Sequence, residues 1–480
     1  MKRLLAIQFI VLAVFVLLGN GIRSVAMSTV LVSQAEFASF LNISAERTDM
    51  LIEALMGGSL LALALAPFLI APGSAMRLAR NAAILAVVCY GAIGVTMHAN
   101  PALLTREAVI ISAFAFAGFA VAFFAPLAQL AIGQANDERS RGALTTLWTA
   151  AQPIAMLATP QLVKYVAFDI GVGNFFFVLA ALPVVFLILV PLVFPRTPHE
   201  GAVAATPIPW RRLAGFLLLL LLFEVSTISI SMAGILGTVT LSLLAAMSLA
   251  GLALFLRRRH WVDPSFQLPA GAGTLMGLLF LIQIPSTGLY DSAYLVRHLC
   301  STAFIADRAT FGAIAQICGV FGAGALLLRW PQGQYWLLWL SLVLALLGSA
   351  MMMLYPYRAN DELLFIASKA LLSGGVGIGT VVLVRAILAA SGGNRMVIMA
   401  PAFLILFGTE VGMETLEIIF QITQLGGFDA NTAFENVFFA QVVATLVAMG
   451  VLGLGNPRFG SREPAEIADM GHTRNSAATS

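Results

Sequence analysis

Apolar runs long enough to cross a bilayer recur along the whole chain, and nothing else constrains its fold as strongly. LLAIQFIVLAVFVLL, LLALALAPFLIAP and FFFVLAALPVVFLILVPLVF, taken with their flanks, supply the roughly 20 residues that an α-helix needs to cross about 30 Å of hydrocarbon. Lipid offers no partner to a bare N–H or C=O, so such runs fold as helices packed in a bundle. The 480 residues are 60% hydrophobic and 10% charged, against about 25% charged in an average soluble domain. The expected fold class is an all-α polytopic membrane protein.

Charged, proline-rich and glycine-rich breaks divide the chain into about fourteen spans. They are 5–28, 50–71, 80–98, 107–132, 143–165, 172–194, 213–232, 238–256, 269–291, 309–328, 334–354, 363–388, 396–420 and 433–455. The start, MKRLLAIQFIVLAVFVLLGNG, has the basic head of a signal peptide but no small-residue cleavage site, so it reads as an uncleaved first span. Most of the 26 Lys and Arg fall on alternate connections, including Arg77, Arg80, Arg139 and Arg141. The positive-inside rule places those connections, and both termini, in the cytoplasm. The expected location is therefore the inner (plasma) membrane. The net charge of +3 gives no reason to invoke a nucleic acid. Cys89, Cys300 and Cys318 lack the spacing of a disulfide or metal framework, and no motif implies a cofactor.

Two segments share a layout. FAGFAVAFFAPLAQLAIGQANDERSRGALTTLW and LSGGVGIGTVVLVRAILAASGGNRMVIMAPAFLIL each join a small-residue helix to a second helix through a polar turn. Gly118 precedes Arg139 by 21 positions, as Gly374 precedes Arg395. Equating spans 4 and 12 gives two six-helix halves, 1–195 and 266–456, around an extra helix pair in 196–265. A polar tail, 457–480, is expected to be disordered. Repeated halves with a site between them are a common construction of secondary transporters.

This layout resembles the major facilitator superfamily, in its fourteen-span drug–proton antiporter branch. The first-span motif of that branch survives in part as LGNGIRSVAMS, where Gly19 replaces an acid. The basic loop after span 2 is APGSAMRLARN, keeping Arg77 and Arg80 without the aspartate. The span 5 motif is AAQPIAMLATP, keeping Pro153 and Pro160 without the glycines. The resemblance implies proton-coupled efflux of amphipathic small molecules or drugs by alternating access, with spans 7 and 8 peripheral. It implies small-molecule substrate, protons and membrane lipid as partners, and leaves a periplasmic adaptor protein open. Uptake or export of one specific metabolite is the alternative. An integral-membrane lipid enzyme would need clustered catalytic side chains, and the five histidines are scattered.

An ionisable group inside a span marks function by default, because burying it unpaired is costly. In GTEVGMETLEIIF the spacing of Glu410, Glu414 and Glu417 puts all three on one helical face. Climbing at about 1.5 Å per residue, Glu410 comes to lie somewhat above the midplane and Glu417 near outer water. Related antiporters carry acids in this helix, which supports Glu410 and Glu414 as proton-coupling or substrate-binding groups. A wet lining, or a structural ion pair with Lys369, would also explain the acids. Arg23 and Glu53 are expected to pair or share a polar cluster. Glu224 follows LLLLLLF and has either a local hydrogen bond with Ser226 or Thr227 or a share in the site. Asp291, with Tyr290 and Tyr294, is expected at the outer mouth. Arg77, Arg80, Arg139 and Arg141 are expected at a cytoplasmic gate or loop. GGVGIG at 374–379 lies inside a span, so close helix packing explains it better than phosphate binding.

The arginine alternation has a direct test. A single cysteine at Ser74 should be shielded from an impermeant thiol reagent in intact cells, whereas cysteines at Ala102 and Asn431 should react. Labelling of position 74 from outside would reverse the orientation.

Overall fold

The computed structural model describes residues 2–42, 48–70, 74–133, 135, 137–163, 168–194, 210–230, 235–257, 271–286, 302–354, 362–391 and 394–455. Among these residues every regular element is helical. Fourteen of the helices carry the architecture. They are α1 (Lys2–Val32), α2 (Asp49–Leu69), α3 (Ala75–Ala99), α4 (Leu103–Gly133, broken at Phe123), α5 (Glu138–Leu162), α6 (Val172–Val193, broken at Ala180) and α7 (Trp210–Ile230). They continue with α8 (Ile235–Arg257), α9 (Ala272–Gln283), α10 (Thr302–Arg329), α11 (Gln334–Leu354), α12 (Glu362–Ala390), α13 (Arg395–Leu425) and α14 (Ala430–Gly455). Ten are long and apolar enough to cross a membrane, while α7, α8 and α9 contain shorter apolar stretches. The tail 457–480 and Asp291, Tyr290 and Tyr294 lie outside the described residues.

The remaining helix, α5, is the most polar, and its sequence shows how such a helix is tolerated. Thr145, Thr146, Thr149 and Thr159 each donate their hydroxyl to the carbonyl one turn earlier, at 2.6–2.9 Å. Each hydroxyl is thereby satisfied within its own helix. Asp137 caps the first turn by accepting from the Ser140 amide at 2.7 Å. Hydrogen bonds from Ser140, side chain before backbone, hold its carboxyl below the ordinary aspartate value.

Small residues set the closest crossings. A Cβ on Gly58 of α2 would strike the Ala115 carbonyl of α4, and one on Gly118 of α4 would strike the Leu55 carbonyl of α2. The same arrangement joins α10 to α12. A Cβ on Gly319 would come within 2.5 Å of the Gly374 carbonyl, and one on Gly377 within 2.5 Å of the Gln316 carbonyl. Gly375 meets the Ser341 carbonyl of α11 at 2.6 Å in the same sense. The glycines of GGVGIG thus serve helix contact, as small residues do in membrane bundles.

The inserted pair packs against the bundle on one side. Helix α7 packs on α2 as well as on α8, and α8 packs on α13. Rings seal the seam between α7 and α13, with Phe216 6.0 Å from Phe403 and Phe223 6.2 Å from Phe407. Leu218, Leu221 and Val225 are exposed on one face of α7, and Phe216, Leu220, Phe223 and Glu224 are buried on the other.

On the arginine-rich side, α1–α6 and α9–α14 meet through polar contacts. Arg385 of α12 lies 3.7 Å from Glu138 of α5, and Arg395 donates to the Ile70 carbonyl at the end of α2 at 3.3 Å. Gln129 of α4, with its amide turned to suit its neighbours, donates to the Ile398 and Met399 carbonyls at 3.3 Å.

The glycine crossings generate a prediction. Gly118→Leu and Gly377→Leu should each cost at least about 1–3 kcal/mol, the usual range for overpacking, and sharply lower the folded yield on size exclusion. Gly273→Ala, whose Cβ would meet no atom within 4 Å, should be neutral.

Candidate functional site

Helix α13 begins at an Asn394 cap, whose side chain accepts from the Met396 amide at 3.0 Å. It runs through 31 residues to Leu425. Glu410 is its sixteenth residue and so lies at the midpoint of the helix. Glu417 is two turns from the end, half-buried, and accepts from Gln421 Nε2 at 2.8 Å. The helix extends past 420 because IIFQITQL contains no breaker before Gly426.

Glycines aim the acids. Gly408 and Gly412 dock on α9, where added Cβ atoms would come within 2.5 and 2.7 Å of the Phe280 and Ile284 carbonyls. Glu410 and Glu414 each follow one of these glycines by two positions, a rotation of about 200° in a 3.6-residue helix. The acids therefore point away from α9. Both are buried.

Three other helices bring charge to the same place. Arg23 comes from α1, Glu53 from α2 and Glu224 from α7, and together with Glu414 all lie within electrostatic reach of Glu410. Glu224 is likewise within reach of Glu414 and Glu53. Its Oε2 lies 3.4 Å from where a Cβ on Gly57 of α2 would sit. Arg23 and Glu53 are half-buried, whereas Glu224 is 7% and Glu410 1% exposed. Glu410 Oε2 is enclosed with no hydrogen-bond partner among the described residues. Three other carboxyls and one guanidinium thus lie within electrostatic reach of Glu410.

Arg23 and Glu53 both lie within electrostatic reach of Glu410. The charge that acts on Arg23 is that of Glu410, across the interface between α1–α6 and α9–α14. Glu224 does not engage Ser226, which donates its hydroxyl to the Leu222 carbonyl. The stem of Lys369 lies against α10, its Cγ 2.8 Å from the Cβ position of Gly312. Arg77, Arg80, Arg139 and Arg141 are exposed at the ends of α3 and α5, away from the cluster. No group of three or more His, Cys, Asp or Glu among the described residues is placed to hold a metal ion.

Two residues escaped sequence reasoning. Asn20 Nδ2 donates to the Trp148 carbonyl at 2.8 Å, tying α1 to α5, and Trp148 Nε1 is buried without a hydrogen-bond partner among the described residues. Asn20 and Arg23 line a small cavity with Gly19, Leu63, Ala125 and Ala402. Their i, i+3 spacing, which sets two side chains on one face, was the available signal.

No protein-family model and no curated protein sequence matches the chain. Solved structures do. A proton:xylose symporter, XylE, bound to 6-bromo-6-deoxy-D-glucose, is similar with a TM-score of 0.60 and 14% identity, over 93% of this chain and 95% of that one. That symporter is described as a major facilitator superfamily protein. The chain has the major facilitator fold. The human organic anion transporter MFSD10 (TETRAN) gives 0.60 and 12% over 92% and 99%. A bacterial homologue of the iron transporter ferroportin, in an outward-facing state, gives 0.60 and 12% over 93% and 100%. All three are transporters or transporter homologues, and the fold is what this chain shares with them.

The electrostatic reach between Arg23 and Glu410 predicts energetic coupling. Arg23→Ala and Glu410→Ala should each lower thermal stability, and the double change should cost less than their sum by about 0.5–3 kcal/mol. Strict additivity would show that the two charges do not meet.

Proposed function

We propose that this chain is a secondary transporter that couples proton movement to efflux of amphipathic small molecules by alternating access. The observation that carries the proposal is Glu410, a carboxyl at the midpoint of a membrane helix with one oxygen enclosed and unpartnered. A charge at the centre of a span costs about 2.5–3.5 kcal/mol on insertion scales, so a group kept there needs a use. Glu414 lies one turn away, and two ionised carboxylates at that separation repel. A proton or a cationic substrate relieves the repulsion equally well, and competition between the two links their fluxes without ATP.

In this reading the units 1–195 and 266–456 rock about the cluster, and the attraction between Arg23 and Glu410 changes in each half-cycle. The contacts of Arg385 with Glu138 and of Arg395 with Ile70 close the cytoplasmic side and part when that side opens. Arg139 and Arg141 border that gate, while Arg77 and Arg80 fix orientation. The transporter sits in the inner (plasma) membrane with both termini cytoplasmic, and its partners are substrate, protons and lipid. The fourteen-helix layout, with its inserted pair, supports a place beside the fourteen-span drug–proton antiporters.

Proteoliposomes with an imposed pH step test the proposal, with ethidium and a panel of neutral and anionic dyes as probes. Glu410→Gln and Glu410→Gln/Glu414→Gln should fold, since the amide preserves shape, and reduce pH-driven flux to the protein-free leak. Glu417→Gln should retain most of it. Full pH-driven flux in the double variant would reduce the acids to a wet lining.

A further inference from the structure

The inserted helix pair contributes something that neither its place in the chain nor its apolar sequence requires. Helix α7 is a single layer, with Leu218, Leu221 and Val225 facing outward and Glu224 buried on the opposite side. It closes the seam beside α2 and α13. Glu224 reaches α2 at Gly57. A Cβ built there would lie 3.4 Å from Glu224 Oε2, so the carboxyl sits at van der Waals distance from that face of α2. Gly58, beside it, serves a different contact, against α4.

The charged groups that face Glu224 come from three helices. They are Glu53 of α2, Glu414 of α13 and, through Glu410, Arg23 of α1. The described side chains of α8 carry no ionisable group. We infer that α7 is a working wall of the transport site, and that Glu224, buried against α2 at Gly57, holds and yields protons as one set with Glu53, Glu410 and Glu414. Carboxyls that interact this closely lose protons in steps that belong to the group rather than to one residue. A proton leaving the Glu224 hydroxyl neutralises a neighbouring carboxylate, and the number of protons is conserved. The inserted pair thereby gives the site a proton store on the wall nearest lipid, where an amphipathic molecule would arrive. This inference rests on the proposed proton coupling, which it extends to a third helix.

Infrared pH-difference spectra of the full chain in proteoliposomes, in water and deuterium oxide, read protonated carboxyls without any substrate. Glu224→Gln should remove one titrating carboxyl and move the midpoint of those that remain by about one pH unit, the coupling at which titrations merge. Glu224→Asp retracts the carboxyl by one methylene. It should keep the band and still move the midpoint, and it replaces the glutamine variant should that one fail to fold. Unchanged midpoints in either folded variant would make Glu224 an isolated group and overturn the inference. That result is distinct from failure of the proposed function, which is read as retained flux in Glu410→Gln/Glu414→Gln whatever the spectra show.

Discussion

The cost of holding charge in a low-dielectric bundle governs the rest of this structure. A buried carboxyl survives there only when other groups converge on it. For Glu410 the compensating charge is Arg23 of α1, while Glu53 of α2, Glu224 of α7 and Glu414 of α13 itself bring like charge to the same place. The chain must therefore bring together residues almost 400 positions apart, and the glycine contacts of α13 with α9 and of α2 with α4 fix the angles at which they arrive. Packing and chemistry are one arrangement at this point.

Much of this was legible in the sequence. Fourteen apolar runs became fourteen helices because a membrane helix satisfies its own backbone and announces itself by composition. The repeat between spans 4 and 12 has a counterpart in packing, since α4 crosses α2 and α12 crosses α10 through glycines. The acids of α13 were visible as charge inside a greasy run. What the sequence could not reveal was their azimuth and their partners. Arg23 looked nearest to Glu53 across a short outer loop, and the charge that acts on it is that of Glu410, nearly the length of the chain away. Glu224 looked local because neighbouring hydroxyls offered an easy partner. The Ser226 hydroxyl bonds back to its own helix, and the carboxyl lies against α2 at Gly57.

Boundaries show the same division. Glu417 was placed near water on the assumption that α13 ends at 420. The helix continues to Leu425, and the residue stays half-buried with Gln421 as a neighbour. Hydropathy falls where glutamine and threonine enter the pattern, but helix continuity depends on the absence of glycine or proline. Those two signals part company over the last turn and a half.

The glycine crossings carry a mechanical consequence. A backbone that touches a backbone has no side-chain cushion to compress, so α2 and α4 form a stiff beam, as do α10 and α12. The contacts between α2 and α13 are of another kind, with Arg395 reaching a carbonyl through a long flexible arm. A side-chain arm of this kind, unlike a glycine crossing, can swing without either backbone moving.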